Sequence, residues 1–255
     1  MATQFDIKLD NNILIIDIGN SRMKYIIDNL VSSLDYNLQD FPINFEKIIM
    51  DNRIIQIYYS SVNSEVEEII LTICKEFKIQ VNNIEEFIDK QNTIDFTQVT
   101  NMGIDRKLGL FGAISITNSP LITIDCGTAL TMNYLDKDNI CRGGGIFAGL
   151  DTQFKALSNY TDKLKNYKYE NPNNTFGTNT QEAISIGVLY SIIGGIKEFY
   201  YQNKPTNQNI NVILTGGYSE IIFSALSKSE ISVILKKNLV LDGIIYLINN
   251  NLKKN

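Results

Sequence analysis

Residues 121–134 read LITIDCGTALTMNY, and this stretch decides the fold. Its first apolar run predicts a strand buried on both faces, and its last residues predict a second strand. Between the two runs, Asp125, Gly127 and Thr128 form a polar turn. The pattern is therefore an apolar strand, an Asp-x-Gly turn with a small polar residue, and a return strand.

An earlier copy of this pattern, ILIIDIGNSRMKY, occupies residues 13–25. Its turn contains Asp17, Gly19 and Asn20, followed by Ser21. The aspartates of the two copies lie roughly one domain length apart. The chain therefore consists of two related halves, and each half offers a carboxylate and a polar turn.

We place the two halves at residues 1–118 and 119–255, because Ser119-Pro120 breaks the chain between them. The pattern of the first half is typical of an open α/β sheet that begins with antiparallel strands. Strands are predicted near residues 13–18, 23–27, 30–36, 54–62, 121–125 and 211–214. Helices are predicted near residues 44–52, 64–77, 105–117, 151–160, 181–199, 218–226 and 239–252, with Ser64 and Glu67 as a capping box for the second of them.

The composition bounds the class of protein. The chain has 255 residues, of which 44% are hydrophobic and 20% are charged, as in soluble globular proteins. A net charge of −5 argues against nucleic-acid or anionic-membrane partners, which require a basic face. The sequence has no histidine, which excludes Ser-His-Asp triads, Cys-His dyads and histidine zinc sites. A general base must then be Asp, Glu, Lys, Tyr or a thiolate.

The cysteines indicate a reducing compartment. Cys74, Cys126 and Cys141 are too few for a disulfide framework and lack the CxxC spacing of a zinc site. The first twelve residues lack the pattern of a signal peptide, and no apolar run approaches the ~20 residues that span a bilayer. We therefore expect a cytoplasmic protein without a membrane partner.

Asp17 interrupts an apolar strand near its end, and its turn has two interpretations. The first is a plain β-hairpin with a D-x-G-N turn. The second starts from the cost of burying a carboxylate without compensation and from Lys24 just beyond the turn. The backbone N–H groups of the turn and Lys24 can then hold phosphate oxygens, while Asp17 holds a hydrated Mg²⁺.

Residues 101–106, NMGIDR, place Asp105 near the start of a predicted helix, after the break at Gly103. An Asp at this position can serve as an N-cap or as a first-turn carboxylate. Because Arg106 is adjacent, the pair also suits a general base beside an anion clamp.

Two features of the second half suit a nucleotide. Thr128 offers a hydroxyl to phosphate, and Gly127 permits close approach of the backbone. The turn Thr215-Gly216-Gly217 joins a strand to a helix. Such a junction can approach a nucleotide through its backbone N–H groups, although alone it is a weak signal.

Three further features of the second half each have two interpretations. The glycines at 143–145 fit a flexible loop, or a backbone that must approach a ligand or a second chain. Thr180, at a helix start, fits a capping residue or a substrate contact. Gly187, Gly194 and Gly195 are unusual inside a helix and fit close helix–helix contact, including contact across a dimer.

Taken in order, these motifs resemble the type III pantothenate kinases, members of the acetate and sugar kinase/Hsp70/actin superfamily. The matching segments are DIGNSRMK at 17–24, GIDR at 103–106, DCGTA at 125–129, GGGIFAGL at 143–150, GTNTQEAISIG at 177–187 and LTGG at 214–217. They follow the family's order and cover nearly the whole chain. The D-x-G-[NT] motif alone is a weak signal, whereas the ordered set is a strong one.

The resemblance implies a fold and a reaction. The fold is two ribonuclease-H-like, actin-like ATPase domains, with mixed β-sheets flanked by helices and an ATP cleft between the domains. The reaction is transfer of the γ-phosphoryl group of ATP to the hydroxyl of pantothenate, the first step towards coenzyme A. The resemblance also implies a homodimer with the substrate pocket close to its interface.

The same resemblance implies residue roles. It assigns ATP binding to Asp17, Ile18, Gly19, Asn20, Ser21, Arg22, Met23, Lys24, Thr128, Gly216 and Gly217. It assigns substrate binding to Phe96, Gly103, Ile104, Asp105, Arg106 and Thr180, with Asp105 as the base that receives the hydroxyl proton. Asp17 would organise Mg²⁺, and Asp125 would bind an activating K⁺ or NH₄⁺.

The chain departs from the family pattern at Phe96 and Val99, where the family has Tyr-x-x-Pro, and at Lys107 and Ala148. Because Phe96 lacks a hydroxyl, a kinase for another small hydroxy acid stays open as an alternative. A second alternative is a non-catalytic regulator, since relatives have been described as accessory factors in transcription. The retained acidic and basic site residues favour the enzyme.

Overall fold

The computed structural model describes residues 12–36, 40–172, 174–205 and 210–252. The chain divides into two compact units. Unit 1 comprises residues 1–94, 100–116 and 238–255, and unit 2 comprises residues 95–99 and 117–237. Each unit is built on a five-stranded sheet flanked by helices, which confirms the predicted α/β class.

Unit 1 contains a mixed sheet. Its strands are β1 (Ile13–Ile18), β2 (Arg22–Ile27), β3 (Leu30–Asp35), β4 (Gln56–Ser61) and β5 (Gln80–Asn83). Their order is β3-β2-β1-β4-β5. The strand β1 pairs antiparallel with β2 and parallel with β4, so the sheet begins with antiparallel strands, as predicted.

The helices of unit 1 come from three parts of the chain. They are α1 (Phe41–Asp51), α2 (Ser64–Glu76), α3 (Glu85–Ile88), α4 (Ile104–Ile114) and α8 (Leu239–Leu252). The central strand β1 owes its apolar sequence to burial on both faces, because Leu14, Ile15, Ile16 and Ile18 are 0% exposed. Helices α1 and α2 cover one of these faces.

The C-terminal helix α8 packs against α4. A Cβ on Gly243 would collide with the carbonyl oxygen of Leu108, and a Cβ on Gly112 would collide with that of Leu239. These glycines let the two backbones approach closely. Residues 238–252 therefore belong to unit 1, whereas the sequence-based division placed them in the second half.

Unit 2 repeats the arrangement. Its strands are β6 (Leu121–Cys126), β7 (Ala129–Leu135), β8 (Cys141–Ala148), β9 (Asn211–Thr215) and β10 (Val233–Leu235), in the order β10-β9-β6-β7-β8. Its helices are α5 (Leu150–Tyr160), α6 (Thr180–Asn203) and α7 (Ser219–Leu226). Buried side chains of α6, including Val188 and Ile192, pack with Ile122 and Ile124 of β6 in one core.

The two sheets share their topology strand by strand. In each unit the central strand pairs antiparallel with the strand that follows it and parallel with a later strand. Asp17 and Asp125 occupy the second-to-last position of β1 and β6, respectively. The repeat seen in the sequence is therefore a repeat of structure.

The glycine-rich segment at 143–145 lies in β8, so its interpretation as a flexible loop is wrong. A Cβ on Gly144 would collide with the carbonyl oxygen of Met132 on β7. The close backbone approach is therefore to a strand of the same sheet. The predicted capping box is also wrong, because Asn63, not Ser64, is the N-cap of α2 and its side chain accepts a hydrogen bond from the Val66 N–H.

By length and composition alone, the 24-residue helix α6 could cross a membrane. No apolar run of about 20 residues was predicted from the sequence. Half of the apolar window of α6 is buried inside the protein. Side chains from successive turns, such as Ile184, Val188 and Ile196, belong to the unit 2 core. This burial is typical of a core helix.

Candidate active site

Asp17 lies at the end of β1 between two polar neighbours. Its cross-strand partners are Lys24 on β2 and Ser60 on β4. The Ser60 Oγ donates a hydrogen bond to Asp17 Oδ1 over 3.2 Å, and Ser60 is only 1% exposed. The half-buried carboxylate of Asp17 therefore has a fixed orientation and an ammonium group on the adjacent strand.

The turn after Asp17 is tight. The Gly19 N–H donates to the carbonyl of Arg22 over 3.2 Å, and a Cβ on Gly19 would lie 3.1 Å from that oxygen. Asn20 and Ser21 are exposed at the tip. The Arg22 guanidinium pairs with Asp35 at 3.4 Å on the surface. The turn thus presents backbone and short polar groups to solvent.

Two residues of the predicted ATP segment are core residues. The side chains of Ile18 and Met23 are 0% exposed and belong to the apolar core of unit 1. Both residues are inaccessible as a whole, and their contact with ATP stays a prediction. Lys24, the third residue of β2, is half-buried, and no ion pair of its ammonium is found within the described part of the chain.

Asp105 lies in the first turn of α4, and Gly103 occupies the N-cap position. A Cβ on Gly103 would lie 2.6 Å from Asp105 Oδ1, so the missing side chain makes room for the carboxylate. Ile104 and Arg106 are half-buried beside it. The partial positive charge of the helix N-terminus stabilises a carboxylate at this position.

Asp125 occupies the equivalent position in unit 2. Its cross-strand partners are Thr131 on β7 and Thr215 on β9, which place two hydroxyl groups on the same face as the carboxylate. The backbone of Gly216 has φ +91° and comes so close that a Cβ there would collide with Asp125 Oδ1. The atoms near Asp125 that could act as ligands to a cation are therefore oxygens, which hard cations prefer.

Thr128 lies at the exposed tip of the β6–β7 turn. Its carbonyl oxygen accepts hydrogen bonds from the Gly149 N–H over 2.9 Å and from the Thr152 hydroxyl over 2.6 Å. These bonds tie the turn to the start of α5. The Thr128 backbone is therefore held in place near an exposed hydroxyl side chain.

The turn at Gly216 and Gly217 joins β9 to α7, as predicted. It is held by the Tyr218 N–H, which donates to the carbonyl of Cys126 over 3.1 Å, and by the Ser219 hydroxyl, which donates to the Gly216 carbonyl over 2.7 Å. Burial raises the pKa of the Cys126 thiol, and the negative charge of Asp125 adds to that rise. This thiol is therefore a packing group at neutral pH.

Thr180 is the first residue of α6, but it does not cap the helix. The N-cap is Asn179, whose side chain accepts from the Glu182 N–H over 3.0 Å. The Glu182 carboxylate in turn accepts from the N–H and hydroxyl of Thr178. The exposed Thr180 hydroxyl makes no hydrogen bond to a described residue, and its substrate contact stays a prediction.

Phe96 lies in unit 2, within the short segment of residues 95–99. Residues on either side of this segment belong to unit 1. Phe96 is half-buried, and its segment is bonded to the hairpin that joins β7 to β8. The structure thus assembles Asp17 and its turn in unit 1, and Asp125, Thr128 and Gly216 in unit 2.

The type III pantothenate kinase family matches residues 13–202 of this chain. The match covers both aspartate turns, the start of α4 and most of α6. This chain belongs to the type III pantothenate kinase family. Its ordered motifs, and not any one of them, decide the assignment.

Curated type III pantothenate kinases resemble this chain over most of its length, in agreement with the family assignment. A type III pantothenate kinase from Sulfurihydrogenibium sp. (strain YO3AOP1) is 32% identical over 252 residues, which cover 92% of this chain and 98% of the relative. One from Persephonella marina is 33% identical and covers 72% of each chain. One from Finegoldia magna is 25% identical and covers 97% of this chain and 100% of the relative.

Solved structures confirm the fold. A protein from Campylobacter jejuni assigned to the Baf family of transcriptional activators has a TM-score of 0.66 at 22% identity, with 94% of this chain and 99% of that chain covered. A protein from Sinorhizobium meliloti assigned as a 2-dehydro-3-deoxygalactonokinase has a TM-score of 0.56 at 11% identity, with 94% and 98% covered. At these identities the likeness concerns the fold alone.

Sequence reasoning missed two polar residues beside the pantothenate kinase motifs. Ser60 is the second-to-last residue of β4, the parallel neighbour of β1, and Thr152 bonds the Thr128 carbonyl. A signal existed for Ser60, because two serines follow the run Ile57, Tyr58 and Tyr59 in that strand. Thr152 gave none, since a Thr in the first turn of a helix is ordinary.

The same geometry shows whether the described residues suit the binding of Mg²⁺. In the described ranges, no group of three or more Cys, Asp or Glu side chains is arranged to hold a metal. Mg²⁺ in kinase sites is commonly held by one or two carboxylates together with substrate phosphates and water. A single carboxylate at Asp17, oriented by Ser60 and followed by a turn with the exposed residues Asn20 and Ser21, fits that mode of binding.

Proposed function

We propose that this protein transfers the γ-phosphoryl group of ATP to the hydroxyl of pantothenate, giving 4′-phosphopantothenate and ADP, as the first step of coenzyme A biosynthesis. The observation that supports this most directly is the family match over both aspartate turns and the start of α4. In the reaction, a bond forms between the acceptor oxygen and the γ-phosphorus. The bond between that phosphorus and the oxygen of ADP breaks.

The donor side of the proposal rests on the Asp17 turn. Phosphoryl transfer needs positioning and charge neutralisation more than covalent chemistry. The turn of Gly19, Asn20 and Ser21 and the Lys24 ammonium bind the phosphates of ATP. Asp17, held by Ser60, would orient the Mg²⁺ of the Mg–ATP complex, and this ion supplies neutralisation of the developing phosphate charge.

The acceptor side rests on the start of α4. Asp105 accepts the proton of the pantothenate hydroxyl as the oxygen attacks, which removes the need for a histidine base. Arg106 and the backbone of Gly103 and Ile104 hold the carboxylate end and the amide of the acceptor. The room created by Gly103 next to Asp105 Oδ1 leaves the carboxylate accessible to the acceptor.

The residues of unit 2 complete the nucleotide contacts in this proposal. Thr128 and the backbone of Gly216 and Gly217 bind ATP, and the free hydroxyl of Thr180 contacts pantothenate. Asp125, flanked by Thr131 and Thr215, would bind K⁺ or NH₄⁺. Such an ion supplies additional positive charge to a site that has few cationic side chains.

We also propose a homodimer that forms through the outer face of α6. The exposed residues of that face are Ala183, Gly187, Tyr190, Ser191, Gly194 and Glu198. A Cβ on Gly187 or Gly194 would meet nothing within 4 Å among described atoms, so packing inside one chain does not require these glycines. Each costs about 1 kcal/mol relative to Ala in a helix. Close approach of a second copy accounts for them.

The proposed location is the cytoplasm, where the three cysteines stay reduced. Cys74, Cys126 and Cys141 are all free and buried, and disulfides are rare in that compartment. The net charge of −5 provides no broad basic surface for nucleic acid. The partners in this proposal are therefore ATP, pantothenate and a second copy of the chain.

One observation favours a second candidate, a kinase for another small hydroxy acid. Phe96 lacks the hydroxyl that the family pattern has at this place. A panel of acceptors compared by kcat/KM, with the phosphorylated product identified by its mass, separates the two. Pantothenate is expected to give the highest kcat/KM, and a clearly better acceptor would replace it in the proposal.

A further inference from the structure

Residues Asp95–Val99 form a strap along the hairpin between β7 and β8. The Asp95 N–H donates to the carbonyl of Asn139 over 2.9 Å, and the Cys141 N–H donates to the carbonyl of Asp95 over 2.8 Å. The strap then turns, because the Val99 N–H donates to the carbonyl of Phe96 over 3.1 Å. Its first residue is thus paired as in a parallel sheet.

A single side chain fastens the other end of the strap. The Arg142 Nη1 donates a hydrogen bond to Gln98 Oε1 over 2.6 Å. Arg142 Nε and Nη2 both lie 2.6 Å from Asp136 Oδ2. The planar guanidinium thus bridges an exposed residue of the strap and a carboxylate of the hairpin.

Asp136 is a firm anchor for this guanidinium. It is 9% exposed, and its Oδ1 accepts from the N–H groups of Asp138 and Ile140 over 3.0 and 2.9 Å. Burial alone would raise the pKa of Asp136, but the bonds from Ile140, Arg142 and Asp138 outweigh it and lower that pKa. The carboxylate is therefore charged at neutral pH, and Arg142 has a fixed partner.

The start of β8 is shaped to receive the strap. Gly143 has φ +94°, and a Cβ there would lie 3.7 Å from Val99 Cγ1. Val99 is half-buried, on the side of Gly143 where a Cβ would stand. The strap is thus held by a backbone pair at Asp95 and by Arg142 at Gln98.

We propose that Arg142 is a positioning residue for the acceptor substrate and that it acts through Gln98 on the strap. Only residues 100–104 separate the strap from Asp105. The loop that leads to Gly103 and Asp105 therefore begins at the end of the strap. This inference rests on the proposed function, in which Asp105 is the base for the acceptor hydroxyl.

The expected effect is on acceptor binding and not on the chemical step. When the strap is loose, only a fraction of molecules present the loop in the binding geometry, and the apparent affinity falls by that fraction. Once the acceptor is bound, the same geometry is restored. The KM for pantothenate should therefore rise, while kcat and the KM for ATP stay nearly unchanged.

The most specific variant is Gln98→Ala. Gln98 is exposed, and the ion pair between Arg142 and Asp136 stays intact in this variant. We expect the KM for pantothenate to rise roughly 3- to 10-fold, as for the loss of one ordinary hydrogen bond, because this bond is exposed to solvent. Arg142→Lys should act in the same direction, since an ammonium cannot bond two partners in the fork geometry. Gln98→Glu keeps an acceptor for Arg142 and should restore the KM.

The matched control is Lys137→Ala in the same hairpin. Lys137 pairs with Asp138 at 2.8 Å on the surface, and its ammonium makes no hydrogen bond or ion pair with the strap among the described residues. Its loss should leave the KM for pantothenate unchanged. We call the Arg142–Gln98 hydrogen bond the clamp. If Lys137→Ala raised the KM as much as Gln98→Ala does, the role of the clamp would be overturned, because any change of charge in the hairpin would then have the same effect.

Hydrogen exchange measured by mass spectrometry tests the clamp without activity. Peptides that contain residues 95–100 should exchange faster in Gln98→Ala than in the wild type, with the rest of the sheet unchanged. Equal exchange would overturn the clamp, and faster exchange with an unchanged KM would overturn its role in acceptor binding. Absence of pantothenate-dependent turnover in the wild type would instead reject the proposed function, and with it the acceptor role.

Discussion

The Ser60 hydroxyl donates a hydrogen bond to Asp17 Oδ1 over 3.2 Å, from the strand parallel to that of the aspartate. In unit 2, Thr215 holds the same register position relative to Asp125. Both aspartates thus lie next to the end of a central strand, beside a hydroxyl residue on a parallel neighbour. In unit 1 the Ser60 hydrogen bond lowers the cost of desolvating the Asp17 carboxylate.

Ser60→Ala should weaken the use of Mg–ATP. The Asp17 carboxylate loses a buried donor, so its orientation is less defined, and one buried hydrogen bond is worth about 1 kcal/mol. We expect the KM for Mg–ATP to rise roughly 3- to 10-fold at saturating pantothenate. Initial rates measured across a Mg²⁺ titration check this, with the exposed Ser32→Ala on β3 as control. Identical Mg²⁺ dependence in Ser60→Ala and the wild type would remove Ser60 from the site.

Gly216→Ala should destabilise unit 2. The φ of +91° is strained for any residue with a Cβ, and that Cβ would collide with Asp125 Oδ1. We expect a loss of about 1–3 kcal/mol in the free energy of unfolding, measured by urea denaturation.

Gly217→Ala is the matched control for that substitution. A Cβ on Gly217 would meet nothing within 4 Å among described atoms. Its free energy of unfolding should stay within about 0.5 kcal/mol of the wild type. Equal destabilisation of the two variants would show that neither the positive φ of Gly216 nor its closeness to Asp125 causes the loss of stability.

Asp105→Asn should abolish turnover while the fold and ATP binding persist. The amide keeps the shape of the carboxylate beside Gly103 but cannot accept the hydroxyl proton, so kcat should fall on the order of 10²- to 10⁴-fold. Steady-state kinetics and ATP-binding calorimetry measure the two effects. Turnover near that of the wild type would exclude Asp105 as the base.

The cysteines should be unreactive in the folded protein. All three are buried, and burial raises the pKa of Cys74 to about 11, so roughly one thiol in a thousand is ionised at pH 8. Labelling with a chromogenic disulfide at pH 8 should be slow in buffer and reach three thiols per chain only after unfolding. Rapid labelling of the native protein would contradict this burial.

Gly194→Leu should dissociate the proposed dimer. A leucine on the exposed face of α6 would keep a second helix from close approach, whereas nothing within one chain obstructs it. Light scattering coupled to size exclusion should show a monomer for this variant and a dimer for Ser224→Leu, which changes an exposed position on α7. A monomeric wild type, or a dimeric Gly194→Leu, would reject the interface.

The sequence predicted the central strands and the aspartate turns well, because continuous apolar runs that end in Asp-x-Gly leave few other structures. It failed for β8, since three glycines are poor strand formers. The close approach of Gly144 to the Met132 backbone on β7, and the positive φ of Gly143, become visible only in the structure. It predicted the helix α8 correctly but placed it in the second half, because its return to unit 1 depends on contacts with α4 that are distant in sequence. Local patterns do not contain that information.

For the site, the sequence identified single residues but not the residues that contact them in the fold. Asp17 and Asp125 stood out because a carboxylate within an apolar run is unusual, and Asp105 because it follows Gly103 at a helix start beside Arg106. The clamp of Arg142 on Gln98 could not be predicted, since the two residues meet only after the hairpin and the strap have folded.

The most direct test of the account measures ADP and phosphopantothenate formation with ATP, Mg²⁺ and K⁺, in the presence and absence of pantothenate. Both products should be quantified directly by chromatography and mass, so that no coupling enzyme responds to the cation. We predict pantothenate-dependent ADP release in equal amount to phosphopantothenate, and a fall in both when Na⁺ replaces K⁺. Folded, ATP-binding protein that releases no ADP in response to pantothenate would contradict the account.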